Sequence, residues 1–236
     1  MVTSLVDVRD PDFSATISIA DLWVLAASIA IRYASTPGQS PDPFLEPSPG
    51  PLDLPFRFGR VDAATCHDAG FLPDADFKWD QIKDIFVGRL GMDVNETVAI
   101  LGAHSLGRAE WSNSGYDGGW SAYQSSFSNQ YYKNFGISRW DNRNDSSVWV
   151  AGSTMMLQAD AELLYNTNAG AGLPVYCDSF TKLLESSRCP MQLETNAAFM
   201  AYAAQGSIGL FYSAFARGWK KMTEYPYSEG QLVAVS

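Results

Sequence analysis

Between Glu96 and Trp120 the sequence reads ETVAILGAHSLGRAEWSNSGYDGGW, an apolar run that reaches a histidine and then a polar, glycine-rich stretch that ends on a tryptophan. Asp93, followed three residues later by Glu96, gives the reciprocal capping arrangement that starts a helix, and Val94, Val98 and Leu101 set its apolar stripe toward His104. Gly115, Gly118 and Gly119 then mark a turn before Trp120, which follows the histidine by 16 residues. A histidine on a buried helix face, with an indole brought back toward it, restricts the chain to a helical core that packs large aromatic side chains. The aromatic content of 13% agrees with this. Taken alone, such a histidine reads as a core residue satisfied by a hydrogen bond.

Other segments order themselves around this one. Ser18, with Asp21 three residues on, caps a first helix whose apolar positions are Leu22, Leu25, Ala26, Ile29 and Ala30. Residues 35–54 hold six prolines and two glycines, which remove donors and bar a helix, so an irregular or polyproline-like insertion is expected there. It reads either as a docking arm or as an inert surface loop. Trp79, Ile82, Ile85, Phe86 and Leu90 predict a second helix over 78–90, stopped by Gly91. The polar run Asp141 to Asp145 predicts an exposed loop. Residues 166–193 form a second insertion that carries Cys177 and Cys189, which either bridge in an oxidising compartment or remain two thiols. A last helical portion over 197–222 is interrupted by Gly206 and Gly209.

Several of these stretches together resemble the class I haem peroxidases, the cytochrome c peroxidase and ascorbate peroxidase group. GAHSLGR matches the segment of their proximal histidine, NSGYDGGW that of their proximal tryptophan, and PFRFGRVDA, GFLPDAD, FSNQYYKNF and MMLQAD match further family elements, with Gln158 where the family has proline. The resemblance covers most of residues 17–160 and, more weakly, 197–222. It implies an all-α haem-peroxidase fold in a single domain over 1–236, truncated at its N-terminus and enlarged by the two insertions. It further implies haem b as cofactor, with His104 as axial ligand of the iron and Asp160 accepting the Nδ1 proton of His104 and the indole N–H of Trp120. Arg108, Asn113 and Ser114 match positions that hold or neighbour the propionates, while Glu110 stands where the relatives have His. Asn113 and Tyr116 follow the cytochrome c peroxidases, which disfavours ascorbate. Ser105 and Ser121 half-match a cation site whose carboxylate position is Ser128, so no bound cation is expected.

Composition narrows the partners. A net charge of −10 disfavours nucleic acid and anionic membranes, since phosphate recognition depends on clustered Lys and Arg. The longest apolar stretch, Leu22 to Ile31, is far shorter than the ~20 residues that cross a bilayer. The cysteines have no zinc-type spacing, and no hydrolase nucleophile motif is present. Mitochondrion is expected by kinship, with plastid as the alternative.

Heterolytic cleavage of peroxide needs a base and a cation on the far side of the haem, which the family carries on a helix ahead of the segment matching Ile17 to Ile31. Only 16 residues precede that segment here, and His67 lies in a loop remote from that face. The expectation is therefore a haem-peroxidase-like protein without peroxidase activity as an isolated chain, an accessory or structural subunit among other protein subunits. The alternative is a haem-dependent peroxidase that reduces H2O2 with electrons from cytochrome c or a small reductant, its distal residues coming from another chain or lying outside this sequence.

Overall fold

The computed structural model describes residues 5, 7, 16–38, 50–65, 72–137, 139–142, 147–167, 176–178 and 190–234. His67, Cys189 and residues 39–49 of the Pro-rich insertion lie outside the described residues, as does most of the second insertion; the expectations on them, including the Cys177–Cys189 pairing, fall there too.

Helix α1 (Ile19–Ala34) begins where Ser18 accepts the Asp21 amide at 3.0 Å, and both Asp62 oxygens take the Ile19 and Ala20 amides. Its buried positions are Asp21, Ser28, Ile31 and Ala34, whereas Ile29 is 58% exposed and Ala30 faces outward. The expected apolar stripe thus sinks only in part: Leu22, Leu25 and Ala26 are half-buried while Ile29 and Ala30 stay outside. Asp21 decides this: its carboxylate pairs with buried Arg60 at 2.7 Å and accepts the Gly59 amide at 2.7 Å, turning the polar edge inward. Pairing and hydrogen bonding are what make a buried charge tolerable.

Strand β1 (Arg57–Phe58) pairs antiparallel with the last strand, β6 (Val233–Ala234). Helix α2 (Trp79–Lys83) runs straight into a wider-wound turn over Asp84–Arg89 and stops at Gly91, whose φ of +66° suits only glycine well. In helix α3 (Val94–Leu101), Asp93 accepts the Glu96 amide at 2.8 Å and Glu96 accepts the Asp93 amide at 2.9 Å. The α-helix ends there. His104 sits on the tighter 3-10 turn Gly102–Ser105 that follows, not on the regular helix the sequence predicts. The tightening is allowed by Gly102, where an added Cβ would lie 2.3 Å from the Tyr132 hydroxyl and 2.7 Å from the Phe211 ring.

Short α4 (Trp111–Ser114) and α5 (Gln130–Ile137) lead into a four-stranded antiparallel sheet of order β4-β3-β2-β5, made of β2 (Arg139–Asn142), β3 (Val148–Ala151), β4 (Thr154–Leu157) and β5 (Tyr176–Asp178). Asp141 and Asn142 therefore belong to a strand and Asn142 is buried, a departure from the expected loop; residues 143–146 lie outside the described ones. Trp140 and Trp149 account for it, because both rings are buried in the core and draw the polar edge into the ladder with them. Helix α6 (Gln158–Ala161) follows β4 directly. The C-terminal portion is two helices, α7 (Asn196–Ala203) and α8 (Ile208–Glu224); the break falls at Ala204–Ser207 around Gly206 (φ +79°), while Gly209 is accommodated inside α8.

The helical class expected from the sequence holds, with two small sheets added. Its centre is aromatic: Phe127, Tyr131, Tyr132, Phe135, Phe199, Phe211 and Phe215 are fully buried and meet edge-to-face or stacked where α3, α5, α7 and α8 converge. Each such ring contributes about 2 kcal/mol of burial, and the interlock fixes the height of α3 and so of His104. Among the described residues no helix is long and apolar enough to cross a membrane.

Candidate functional site

Three side chains far apart in sequence meet behind the turn that follows α3. His104 Nδ1 lies 2.8 Å from Asp160 Oδ1, and the Trp120 indole donates to Asp160 Oδ2 at 2.6 Å. The indole also stacks on the imidazole, with centroids 4.3 Å apart and planes inclined by 21°. Two further donors complete the set: the Tyr131 hydroxyl reaches Asp160 Oδ1 at 2.7 Å and the Leu157 amide reaches Oδ2 at 2.8 Å. Asp160 is fully buried, and four donors are what make a carboxylate there affordable.

The charges follow from this geometry. Burial opposes ionisation of Asp160, but the His104 charge and hydrogen bond, then the Trp120 and Tyr131 donors, outweigh it and lower the carboxyl below the ordinary aspartate value. Burial likewise favours neutral His104, and the Asp160 charge and hydrogen bond more than reverse this, raising the imidazole. Tyr131 is held protonated by burial and by the adjacent Asp160 charge, which push its pKa well above the usual phenol value, so it stays a donor. With Nδ1 committed to Asp160, the tautomer is set and Nε2 is the nitrogen left to face outward.

That edge is accessible. The His104 side chain is 37% exposed and borders a cavity of about 310 Å³ whose other walls, including Leu72, Pro73, Phe86, Leu157 and Phe215, are apolar apart from Asp74. An apolar slot with one imidazole at its base suits a flat, largely hydrophobic group carrying a metal. Among the described residues lining it, His104 is the one histidine and none is an arginine.

The polar residues expected beside the propionates are not among those that line this cavity. Arg108 pairs with Glu110 at 2.9 Å and with Asp117 at 2.6 Å, all three well exposed, and these two carboxylates raise its pKa, Asp117 most by its hydrogen bond. Asn113 and Ser114 lie on exposed α4, where the Ser114 hydroxyl donates to the Glu110 carbonyl at 3.0 Å and accepts the Tyr116 amide at 3.2 Å. Ser105, Ser121 and Ser128 do gather in the interior, the Ser121 hydroxyl 3.4 Å from the Ser105 carbonyl and the Ser128 amide 3.4 Å from the Ser105 hydroxyl, without a carboxylate among them. No metal-holding cluster of His, Cys, Asp and Glu occurs among the described residues.

The sequence model of the peroxidase family matches residues 5–179, which include the whole of this constellation. The chain belongs to the peroxidase family. It is similar to the mitochondrial cytochrome c peroxidase of Aspergillus fumigatus, 35% identical over 187 residues that cover 72% of this chain and 47% of that protein. The mitochondrial cytochrome c peroxidase of Emericella nidulans is 33% identical over the same shares, and that of Candida albicans 36% identical over 62% of this chain and 38% of its own length. The chain spans about half the length of these relatives or less.

Within this member of the family, two contributors escape a reading of the motifs. Tyr131 stands in FSNQYYKNF, which the sequence marks only as a match to a family element; its hydroxyl becomes part of the site only because α5 crosses behind His104. Gln158 is the other. Its side chain accepts from the Trp149 indole at 3.0 Å and donates to Thr167 at 2.7 Å and Glu162 at 3.2 Å, a buried network that fixes α6 and with it Asp160. The replacement of the family's proline was the signal available in the sequence.

Proposed function

We propose that this chain is the proximal half of a haem peroxidase site: it takes up haem b through His104 Nε2 and works within a larger assembly, without turning over peroxide on its own. One observation carries the reading, the fourfold-bonded Asp160 that fixes the His104 tautomer beneath an apolar cavity. When bound, haem supplies an iron centre that reacts with peroxide. His104 would hold that iron; Asp160 keeps the Nδ1 proton and makes the imidazole a stronger donor; Trp120 covers the back of the ring and excludes water. By their match to the family Arg108, Asn113 and Ser114 would hold or neighbour the propionates, yet none lines the cavity and Arg108 is already shared by two carboxylates, so this side fits the cofactor less well than the His104 side does.

Splitting peroxide also calls for a proton-transferring base and a cation opposite His104; the described cavity walls offer no cation and, besides His104, only the exposed carboxyl of Asp74. The outer face of α1, with Trp23, Ile29 and Tyr33 exposed by 47 to 64%, supports an assembly in which other protein covers this side. By kinship with the mitochondrial relatives, the mitochondrion is its compartment.

A second reading is a working peroxidase whose distal groups come from outside this sequence, reducing H2O2 with electrons from cytochrome c or a small reductant. The identity to cytochrome c peroxidases around an intact His–Asp–Trp set favours it. Titrating the purified chain with haem tests both. A Soret band lost in His104→Ala, without peroxide-dependent oxidation of reduced cytochrome c, is the expected result. No band, or a band that survives His104→Ala, sinks the haem assignment, and steady turnover by this chain alone establishes the second reading.

A further inference from the structure

The His104 cavity has nothing on its walls with which to hold a carboxylate. Among the described residues that line it, Asp74 is the one titratable side chain besides His104, and it is itself an exposed carboxyl. The cations on the elements around the cavity are engaged elsewhere. On α8, whose Phe215, Trp219 and Met222 face the cavity, Arg217 and Lys221 bond Glu96 at 3.2 and 2.7 Å and Lys220 lies 4.0 Å from Glu224, all three in a separate cleft. At the start of α2 Lys78 donates to Thr167, and at its end Lys83 donates to Glu194, both at 2.6 Å. Arg108 is held by Glu110 and Asp117.

Moving a carboxylate from water onto an apolar wall without a cation is strongly unfavourable, and the Asp74 carboxyl adds repulsion. Burying methyl and vinyl groups against Leu72, Phe86, Leu157 and Phe215 is favourable. Size acts in the same direction. At about 310 Å³ the cavity stands at the lower end of the roughly 300–1,000 Å³ of pockets that enclose a small ligand, so a whole porphyrin enters it by one edge. The edge that enters is then the hydrocarbon one, and the carboxylates stay in water.

On the reading that His104 holds haem, we propose that this cavity selects an iron porphyrin by its hydrocarbon edge and does not recognise its carboxylates, so that the ligand class extends to neutral porphyrin esters. A site that reads carboxylates discriminates the other way, because esterification removes its charge-assisted hydrogen bonds.

Soret titrations of the whole chain in dilute neutral detergent test this, with haem b, its dimethyl ester, and iron haematoporphyrin, in which hydroxyethyl groups replace the vinyls. Each affinity is referred to the porphyrin's own partition into detergent, measured without protein. Expected is a band lost in His104→Ala, with the ester bound at least as tightly as haem b and iron haematoporphyrin at least about tenfold more weakly, because its hydroxyls meet no partner on the apolar wall. Haem b bound about tenfold or more tightly than its ester, or iron haematoporphyrin bound as well as haem b, overturns the proposal and leaves His104 standing as the iron's ligand. Absence of a band with every porphyrin is a different failure, that of the haem reading itself and of this inference with it.

Discussion

The His104 centre and the Arg108 cluster both rest on carboxylates, yet they are held by opposite means. Asp160 is buried and takes donors from four separate segments, whereas Glu110 and Asp117 are exposed and share the single cation Arg108. A buried acceptor surrounded by matched donors has one low-energy arrangement, and its neighbours are fixed by it. Exposed pairs in water have many arrangements of nearly equal energy. The His104–Asp160 centre is therefore rigid and the exposed Arg108 cluster adjustable.

The most severe break in that contrast is Asp160→Ala, which leaves three buried donors and the His104 Nδ1 without an acceptor; a loss of about 4 kcal/mol is expected in urea denaturation of the haem-free chain, along with loss of the Trp120–His104 stacking signal in near-ultraviolet circular dichroism. Glu96 is an intermediate case, a buried carboxylate whose cations, Lys221 and Arg217, are half-exposed. Glu96→Gln should cost about 2 kcal/mol. Burial raises the Glu96 pKa, and the Lys221 hydrogen bond, the Asp93 amide and both cations more than offset this to lower it. Its contribution is thus present above the unfolded glutamate value, about 4.3, and is lost as pH falls through the lower folded value. Melting temperatures measured down that range should drop more steeply for the parent chain than for Glu96→Gln, and parallel curves would contradict the assignment.

Tyr131→Phe removes one donor of Asp160's four and leaves the ring in place, so about 1 kcal/mol is expected by the same denaturation. The smallest effect belongs to the Arg108 cluster. Glu110→Gln should change stability by less than about 0.5 kcal/mol, yet release part of Arg108 and tighten haem binding in a titration followed by absorbance; weaker binding would show that Glu110 is not an obstacle there.

What could be read from the sequence divides along the same line. His104, Trp120 and Asp160 lie in motifs whose glycines and caps dictate local backbone, and their convergence follows once α3 and α6 are set. Tyr131 was hidden because a phenol in an aromatic stretch carries no mark of which group its hydroxyl will meet. The buried side of α1 is only partly legible because apolar spacing offers a face but cannot weigh it against the Asp21–Arg60 pair, a contact across 39 residues. The strand at Asp141–Asn142 was masked by its own polarity, the decisive anchors being the tryptophans on either side. Arg108's engagement by Asp117 depends on the Ala109–Gly118 bridge that folds the turn back on itself.

Asp160 ties together positions 56, 40 and 29 residues distant along the chain. Each of those loops must close before the carboxylate can leave water, and closing any one without the others strands a charge in the interior. Half-assembled versions of this centre are therefore penalised, so it forms all at once with the globule around it, and a nascent or frayed chain has no competent imidazole to offer.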